Sequence, residues 1–269
     1  MHPLATRTRT ACPACGHANH ADAPRCDACG RPAARPPGPP LIVRKEDRPL
    51  VYLGIGAIAA IAFTLTPLLK YMGWFLASLV HEAGHCAAAW AVGCPSLPAI
   101  RLDGHAAAVH GDQSKVFAGA VLMGLAYYAW RKRSIPLGAI ALVYPLLAFT
   151  GARDGIFLLA GHLSELAIGG VFFWRALVGG FTQTRAERAA YAACAWYLVL
   201  SNVWLAGGLI FSEGVRQWYR GSGSFGLTND YLRLANSLHV GVGVVAFFML
   251  LVSLAALPVA WRFALRTDR

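Results

Sequence analysis

Residues 74–93 read WFLASLVHEAGHCAAAWAVG, an apolar run broken only by Ser78 and by His81, Glu82 and His85 near its middle. About 20 residues at 1.5 Å each cover the roughly 30 Å of bilayer hydrocarbon, so the run predicts a membrane helix. Ionisable groups at such depth cost roughly 2.5–3.5 kcal/mol each on insertion scales, and where they occur they mark function. On a helix, positions i and i+4 share one face, which brings the imidazoles of His81 and His85 to one point. H-E-x-x-H in this form predicts two ligands for a zinc ion. Glu82, beside the first ligand, is placed to act as general base towards a water activated by that metal.

Working outward, the whole chain has the composition of a membrane protein. Of its 269 residues, 57% are hydrophobic and 14% charged, with mean hydropathy +0.48. A soluble chain is typically about 45–50% apolar and about 25% charged. The net charge of +11 collects in juxtamembrane and tail residues. Without a basic patch interleaved with aromatics, it fits anionic lipid headgroups, and no nucleic acid is expected as partner. The opening MHPLATRTRT lacks the apolar core of a cleavable signal peptide. Apolar segments at 50–69, 71–93, 116–130, 135–150, 155–178, 189–211 and 236–260 predict six or seven spans, with polar loops at 94–115 and 212–235. Arg44, Lys45 and Arg48 ahead of the first span predict a cytoplasmic N-terminus. Counting single crossings from there puts Arg131-Lys132-Arg133 outside, against the positive-inside rule.

The N-terminus carries a second motif. Cys12, Cys15, Cys26 and Cys29 form C-x2-C-x10-C-x2-C, with Gly16 and Gly30 after the pairs. Two such knuckles place four thiolates around one structural zinc, and a unit this small folds only with its metal. The pattern C-P-x-C-G…C-x-x-C-G resembles the short bacterial zinc-ribbon family, which implies an interaction module docking a regulatory or substrate protein. RPAARPPGPP at 31–40 reads as an extended spacer.

HEAGHCAAAWAVG resembles the membrane-embedded site-2 protease (M50) family, whose motif helix reads H-E-x-G-H followed by small residues and a glycine. The resemblance covers about 15 residues. It implies hydrolysis of a peptide bond of a membrane-anchored protein, and a third zinc ligand from an aspartate in an L-D-G motif. Leu102-Asp103-Gly104 and Arg153-Asp154-Gly155 echo that motif, the first in a loop where Asp-Gly makes turns. His162 and Glu165, at i and i+3 in the 155–178 segment, compete for the role. From helix rise, His85 and His81 sit roughly 12 and 18 Å below the boundary, His162 and Glu165 roughly 11 and 16 Å, and Asp154 roughly at the surface. Depth therefore ranks His162 first, then Glu165, then Asp154. Ser201 and Asn202 read as interhelical packing, and Asn229-Asp230 as a helix start or turn.

The expectation is an all-α polytopic membrane protein of about 6–7 transmembrane helices with a small N-terminal zinc ribbon. The domains are a ribbon at 1–30, a Pro-rich linker and basic juxtamembrane segment at 31–49, and a membrane metallopeptidase at 50–269. Catalytic zinc is expected on His81, His85 and His162 with Glu82 as base, and structural zinc on Cys12, Cys15, Cys26 and Cys29. The expected location is the bacterial inner membrane, with the ribbon cytoplasmic.

Overall fold

The chain divides into two units, Met1–Glu46 and Asp47–Arg269. The computed structural model describes residues 9–12, 14–20, 25–31, 49–102, 106–179, 182, 184–221 and 229–267. The linker expected at 31–49 falls almost wholly outside these residues, as do Arg44, Lys45, Arg48, Asp103 and Gly104.

In the small unit, β1 (Arg9–Ala11) pairs antiparallel with β2 (Ala18–His20). Each cysteine pair forms the same knuckle. Gly16 N–H donates to the Cys12 carbonyl and Gly30 N–H to the Cys26 carbonyl, at 2.8 and 2.9 Å. Gly16 and Gly30 have φ of +74° and +69°, a region open to glycine at little steric cost.

The large unit is built on helices. α1 (Pro49–Leu65) and α2 (Pro67–Ala91), which carries the H-E-x-x-H run, are bent by 106°. Thr66 is extended at the break, as a residue before proline prefers, and Pro67 starts α2 where its missing N–H leaves no bond unmade. A hairpin of β3 (Ser96–Ile100) and β4 (Ala106–His110) follows. α3 (Lys115–Lys132) and α4 (Ile135–Phe149) are joined through Arg133, which is left-handed at φ +50°. α5 (Ala152–Val178) and α6 (Arg185–Phe211) are the longest helices described. Thr184 caps α6 by accepting from Glu187 N–H, in a T-x-x-E context that favours a helix start. Two short helices, α7 (Glu213–Gly221) and α8 (Asp230–Ser237), precede α9 (Val242–Thr267).

Three helices, α5, α6 and α9, are long and apolar enough to cross a membrane, or four spans if the bent α1–α2 pair counts as one. Of the six or seven segments expected from hydropathy, α1 and α2 share a break, α4 has only 15 residues, and α3 carries Lys115, Arg131 and Lys132 within its 18. Side chains such as Ile58, Leu142 and Phe248 are exposed on the outer surface. In water so much apolar surface would drive association, whereas lipid is its natural solvent.

Side-chain contacts fix the helix directions. His162 meets Asn202 while Arg188 reaches the Ala176 and Leu177 carbonyls, so α5 and α6 are antiparallel. Arg188 also lies over Tyr52, a Cβ on Gly56 would meet Ala192, and Phe63 meets Tyr197, so α1 runs with α6. His81 meets Glu165 and His85 meets the Phe157 carbonyl, so α2 runs against α5 after its turn of 106° from α1. Gln113 donates to the carbonyls of Val92 and Ala148 and accepts from Arg153, gathering the end of α2, the start of α3, the end of α4 and the start of α5. The Arg131–Arg133 tip is then a helix length away from this junction.

These directions predict a labelling pattern in a background lacking Cys86, Cys94 and Cys194. Arg185→Cys should react with an impermeant maleimide from one face of sealed vesicles, and Asp154→Cys from the other. Labelling of both from one face would contradict the arrangement.

Candidate metal centre

The centre of the large unit gathers polar side chains from four helices. α2 supplies His81, Glu82 and His85, α5 supplies His162 and Glu165, α6 supplies Asn202, and α8 supplies Asp230. All are buried except His81 and Asp230, which are half-buried. His81 Nε2 and His85 Nε2 lie 3.0 and 3.1 Å from the same atom, Asp230 Oδ2. His81, His162 and Asp230 each offer a ligand atom, and these lie within 4.8 Å of one another.

The other side of each imidazole is committed. His81 Nδ1 donates to Glu165 Oε1 at 2.9 Å, His85 Nδ1 to the Phe157 carbonyl at 2.5 Å, and His162 Nδ1 to Asn202 Oδ1 at 2.9 Å. A carboxylate, a backbone carbonyl and an amide oxygen are acceptors, so each Nδ1 carries the hydrogen and each neutral ring keeps its lone pair on Nε2. Two Nε2 lone pairs therefore face a carboxylate oxygen. Three electron-rich atoms so close repel one another unless positive charge, a proton or a metal ion, lies among them. Ligand histidines held by an acceptor on the far nitrogen are the usual support of a metal site. A tetrahedral site with arms of about 2.0–2.1 Å has edges of about 3.3 Å, a few tenths above the two contacts to Asp230. The donor set thus fits a divalent metal.

Backbone proximity makes the arrangement possible. A Cβ on Gly161 would strike His81 Nε2 and would sit 2.6 Å from His85 Nε2, so only glycine leaves both rings room against α5. One turn away, Ser164 Oγ donates to the Val80 carbonyl at 2.8 Å and locks α5 to α2. α8 is anchored by Tyr231 and Leu234 in a buried cluster with Leu158, Leu166, Val199 and Leu209. The ring of Tyr231 packs 4.4 Å from that of His162. Asn229 Nδ2 donates to the Tyr219 carbonyl and fixes the entry to α8.

Of the three histidines expected as ligands, His81 and His162 offer donors within 4.8 Å of each other and of Asp230, and His85 meets the same Asp230 oxygen as His81. Glu165, an alternative ligand, instead accepts from His81 Nδ1 and, through its second oxygen, from Asn202 Nδ2. Asp154, the other alternative, is exposed in the first turn of α5, lies 3.5 Å from Arg153, and sits ~12 Å back along the helix from His162. It takes no part in the cluster, because the chain supplies the carboxylate from α8. Asp230, read from sequence only as a helix start or turn, does open α8 and also meets both motif histidines. A signal was present, since Asp230 is the single acidic residue between Glu213 and Asp268. Asn202, read as packing, bonds two cluster residues. Ser201 bonds only its own helix, at the Leu198 carbonyl. Glu82 is buried, and its Oε2 has no hydrogen-bond partner among the described residues.

The four ribbon cysteines form a second group of donors within 4.8 Å of one another. Cys12 Sγ lies 3.8 Å from Cys29 Sγ, and Cys15 Sγ 3.6 Å from Cys26 Sγ. A disulfide would need about 2.05 Å, whereas a tetrahedron with metal–sulfur arms of about 2.3 Å has edges of about 3.8 Å. The Asn19 side chain holds the Cys26 thiol down at about 6. The His17 backbone works the same way on Cys15, but the Cys26 and Cys29 sulfurs outweigh it and push that thiol up to about 12. Without a cation, four thiolates this close cannot all ionise.

Compared with known proteins, the chain matches no protein-family model, no curated protein and no solved structure.

Metal analysis of the purified chain should find two ions. Gly161→Ala and Asp230→Ala should each reduce this to one, with the ribbon ion retained, and Asp154→Ala should leave two. Two ions in Gly161→Ala would contradict the close approach of both rings to α5.

Proposed function

We propose that the chain is an intramembrane zinc metalloendopeptidase that hydrolyses peptide bonds of membrane-anchored proteins. One observation carries the reading. The two histidines of an H-E-x-x-H helix converge on a carboxylate from a distant element, and the glutamate between them keeps a buried oxygen without a partner among the described residues. The resemblance of HEAGHCAAAWAVG to the site-2 proteases agrees with it.

Zinc bound here would supply a Lewis acid and lower the pKa of an attacking water. The chain's own groups do the rest. His81, His85 and Asp230 supply three donors that would hold the metal and leave a position for water, with His162 beside them. Glu165, the Phe157 carbonyl and Asn202 keep the imidazoles aimed at it. Glu82 Oε2 takes the proton of the attacking water and returns it to the leaving amine, the usual division of labour for a single general base and acid. The apolar walls of α2, α5 and α6 keep bulk water out, which strengthens every electrostatic contact inside.

Three apolar helices support an integral membrane location, here taken as a bacterial inner membrane. The basic residues Arg44, Lys45 and Arg48 ahead of α1 support a cytoplasmic ribbon. The spacing of the four ribbon sulfurs supports a structural zinc, on a module that docks a regulatory or substrate protein.

A second reading has its own observation. His81, His162 and Asp230 offer ligand atoms within 4.8 Å of one another, a donor set that could equally hold a zinc for sensing or partner binding without proteolysis. Glu82→Gln separates the two. Reconstituted with transmembrane peptide substrates in proteoliposomes, the variant should keep its zinc and lose at least about 100-fold in cleavage rate, the lower range for general-base catalysis. Equal cleavage by variant and parent would sink the peptidase reading.

A further inference from the structure

We propose that Asn202 of α6 is a positioning residue of the buried centre, setting the orientation of His162 directly and of His81 through Glu165. The inference rests on reading the histidine cluster as a metal site. It does not depend on the reaction that site performs.

Asn202 is 2% exposed. Its Nδ2 donates to the Leu198 carbonyl at 2.9 Å and to Glu165 Oε2, and its Oδ1 accepts from His162 Nδ1 at 2.9 Å. The amide has one chemically sensible orientation. Turned over, it would set its oxygen against two acceptors and its NH2 group against the Nδ1–H of His162. A single buried amide thus dictates two tautomers. His162 must carry its hydrogen on Nδ1. Glu165, with Oε2 engaged by Asn202, offers Oε1 to His81 Nδ1 and leaves the His81 lone pair on Nε2, facing Asp230.

Packing alone does not account for these bonds. The bond to Leu198 lies within α6 and would satisfy a polar residue facing any neighbour. The bonds to His162 and Glu165 cross to α5, whose residues are 40 and 37 positions away in sequence. His162 and Glu165 do not satisfy each other, since His162 Nδ1 is 3.9 Å from Glu165 Oε2. Asn202 stands between them. Among the described residues it is the contribution of α6 to this network, since Ser201 turns back to its own helix.

The test uses full-length protein in detergent, loaded with Zn2+ for affinity and with Co2+ for spectroscopy. The ribbon ion is recognised by sulfur-to-cobalt charge transfer, which the histidine–carboxylate site lacks. Asn202→Leu keeps the volume and removes both cross-helix bonds. It should weaken Zn2+ at the buried site about 10–100-fold, the usual effect of losing a partner of a ligand, and alter the ligand-field bands of the buried Co2+. Asn202→Asp keeps the acceptor for His162 and removes the donor to Glu165, so its affinity should fall between those of Asn202→Leu and the parent. Ser201→Ala should match the parent. Folded Asn202→Leu with parental Zn2+ affinity and unchanged Co2+ bands overturns the role. So does loss of the ribbon-retaining, monodisperse fold in both Asn202 variants, which would assign the residue to packing. A parent chain that binds metal only through its cysteines overturns the metal-centre reading itself, and the role of Asn202 falls with it.

Discussion

At the centre of the membrane unit, the Nε2 atoms of His81 and His85 face Asp230 Oδ2 at 3.0 and 3.1 Å, with every Nδ1 in the cluster already given to an acceptor. This constraint organises the fold around it. Unbalanced buried polar groups cost about 1–3 kcal/mol each, more when charged, against a total stability of about 5–15 kcal/mol. A chain that buries several of them together needs a balancing charge. Two features on separate helices serve the same point. Gly161 lets both rings approach the α5 backbone, and α8 carries Asp230 inward on the buried side chains of Tyr231 and Leu234. Neither is required by helix packing in lipid.

The parts of the site that lie on one helix were legible in the sequence. His81, Glu82 and His85 follow from an i, i+4 spacing inside an apolar run, and His162 and Glu165 from an i, i+3 pair at matching depth. Depth along a helix is a one-dimensional quantity, and it ranked Asp154, which lies outside the cluster, last. Asp230 was not legible in the same way. It opens a helix of eight residues after a Gly/Ser-rich stretch, where Asn-Asp is ordinary turn chemistry, and only the tertiary path of α8 gives it a second function. Asn202 looked like packing because a lone amide in an apolar helix carries no record of what it faces.

The fold was legible as a class and blurred in its count. Hydropathy scores residues and is blind to direction, so 50–69 and 71–93 read as two opposed crossings. Thr66-Pro67 breaks the helix and turns α2 by 106° from α1, so the pair is one bent unit in place of two straight crossings. The proline was visible in the sequence. Its geometric consequence depended on Gly56 and Gly73 packing α1 and α2 onto Ala192 and Tyr197 of α6.

Glu82 bears most directly on what such a centre is for. If four donors closed the metal site, the carboxylate beside them would have no task, and burying its Oε2 without a partner among the described residues would only destabilise the fold. A purely structural site would favour glutamine or an apolar residue there, since either spares the cost of a desolvated charge. Retaining a carboxylate at that position makes physical sense when a proton has to be accepted next to the metal. A water that loses a proton at a divalent ion is the simplest donor. The same logic explains why Glu165 and Asn202 bond the outer nitrogens of the rings. They leave the inner face to the metal and to whatever Glu82 serves.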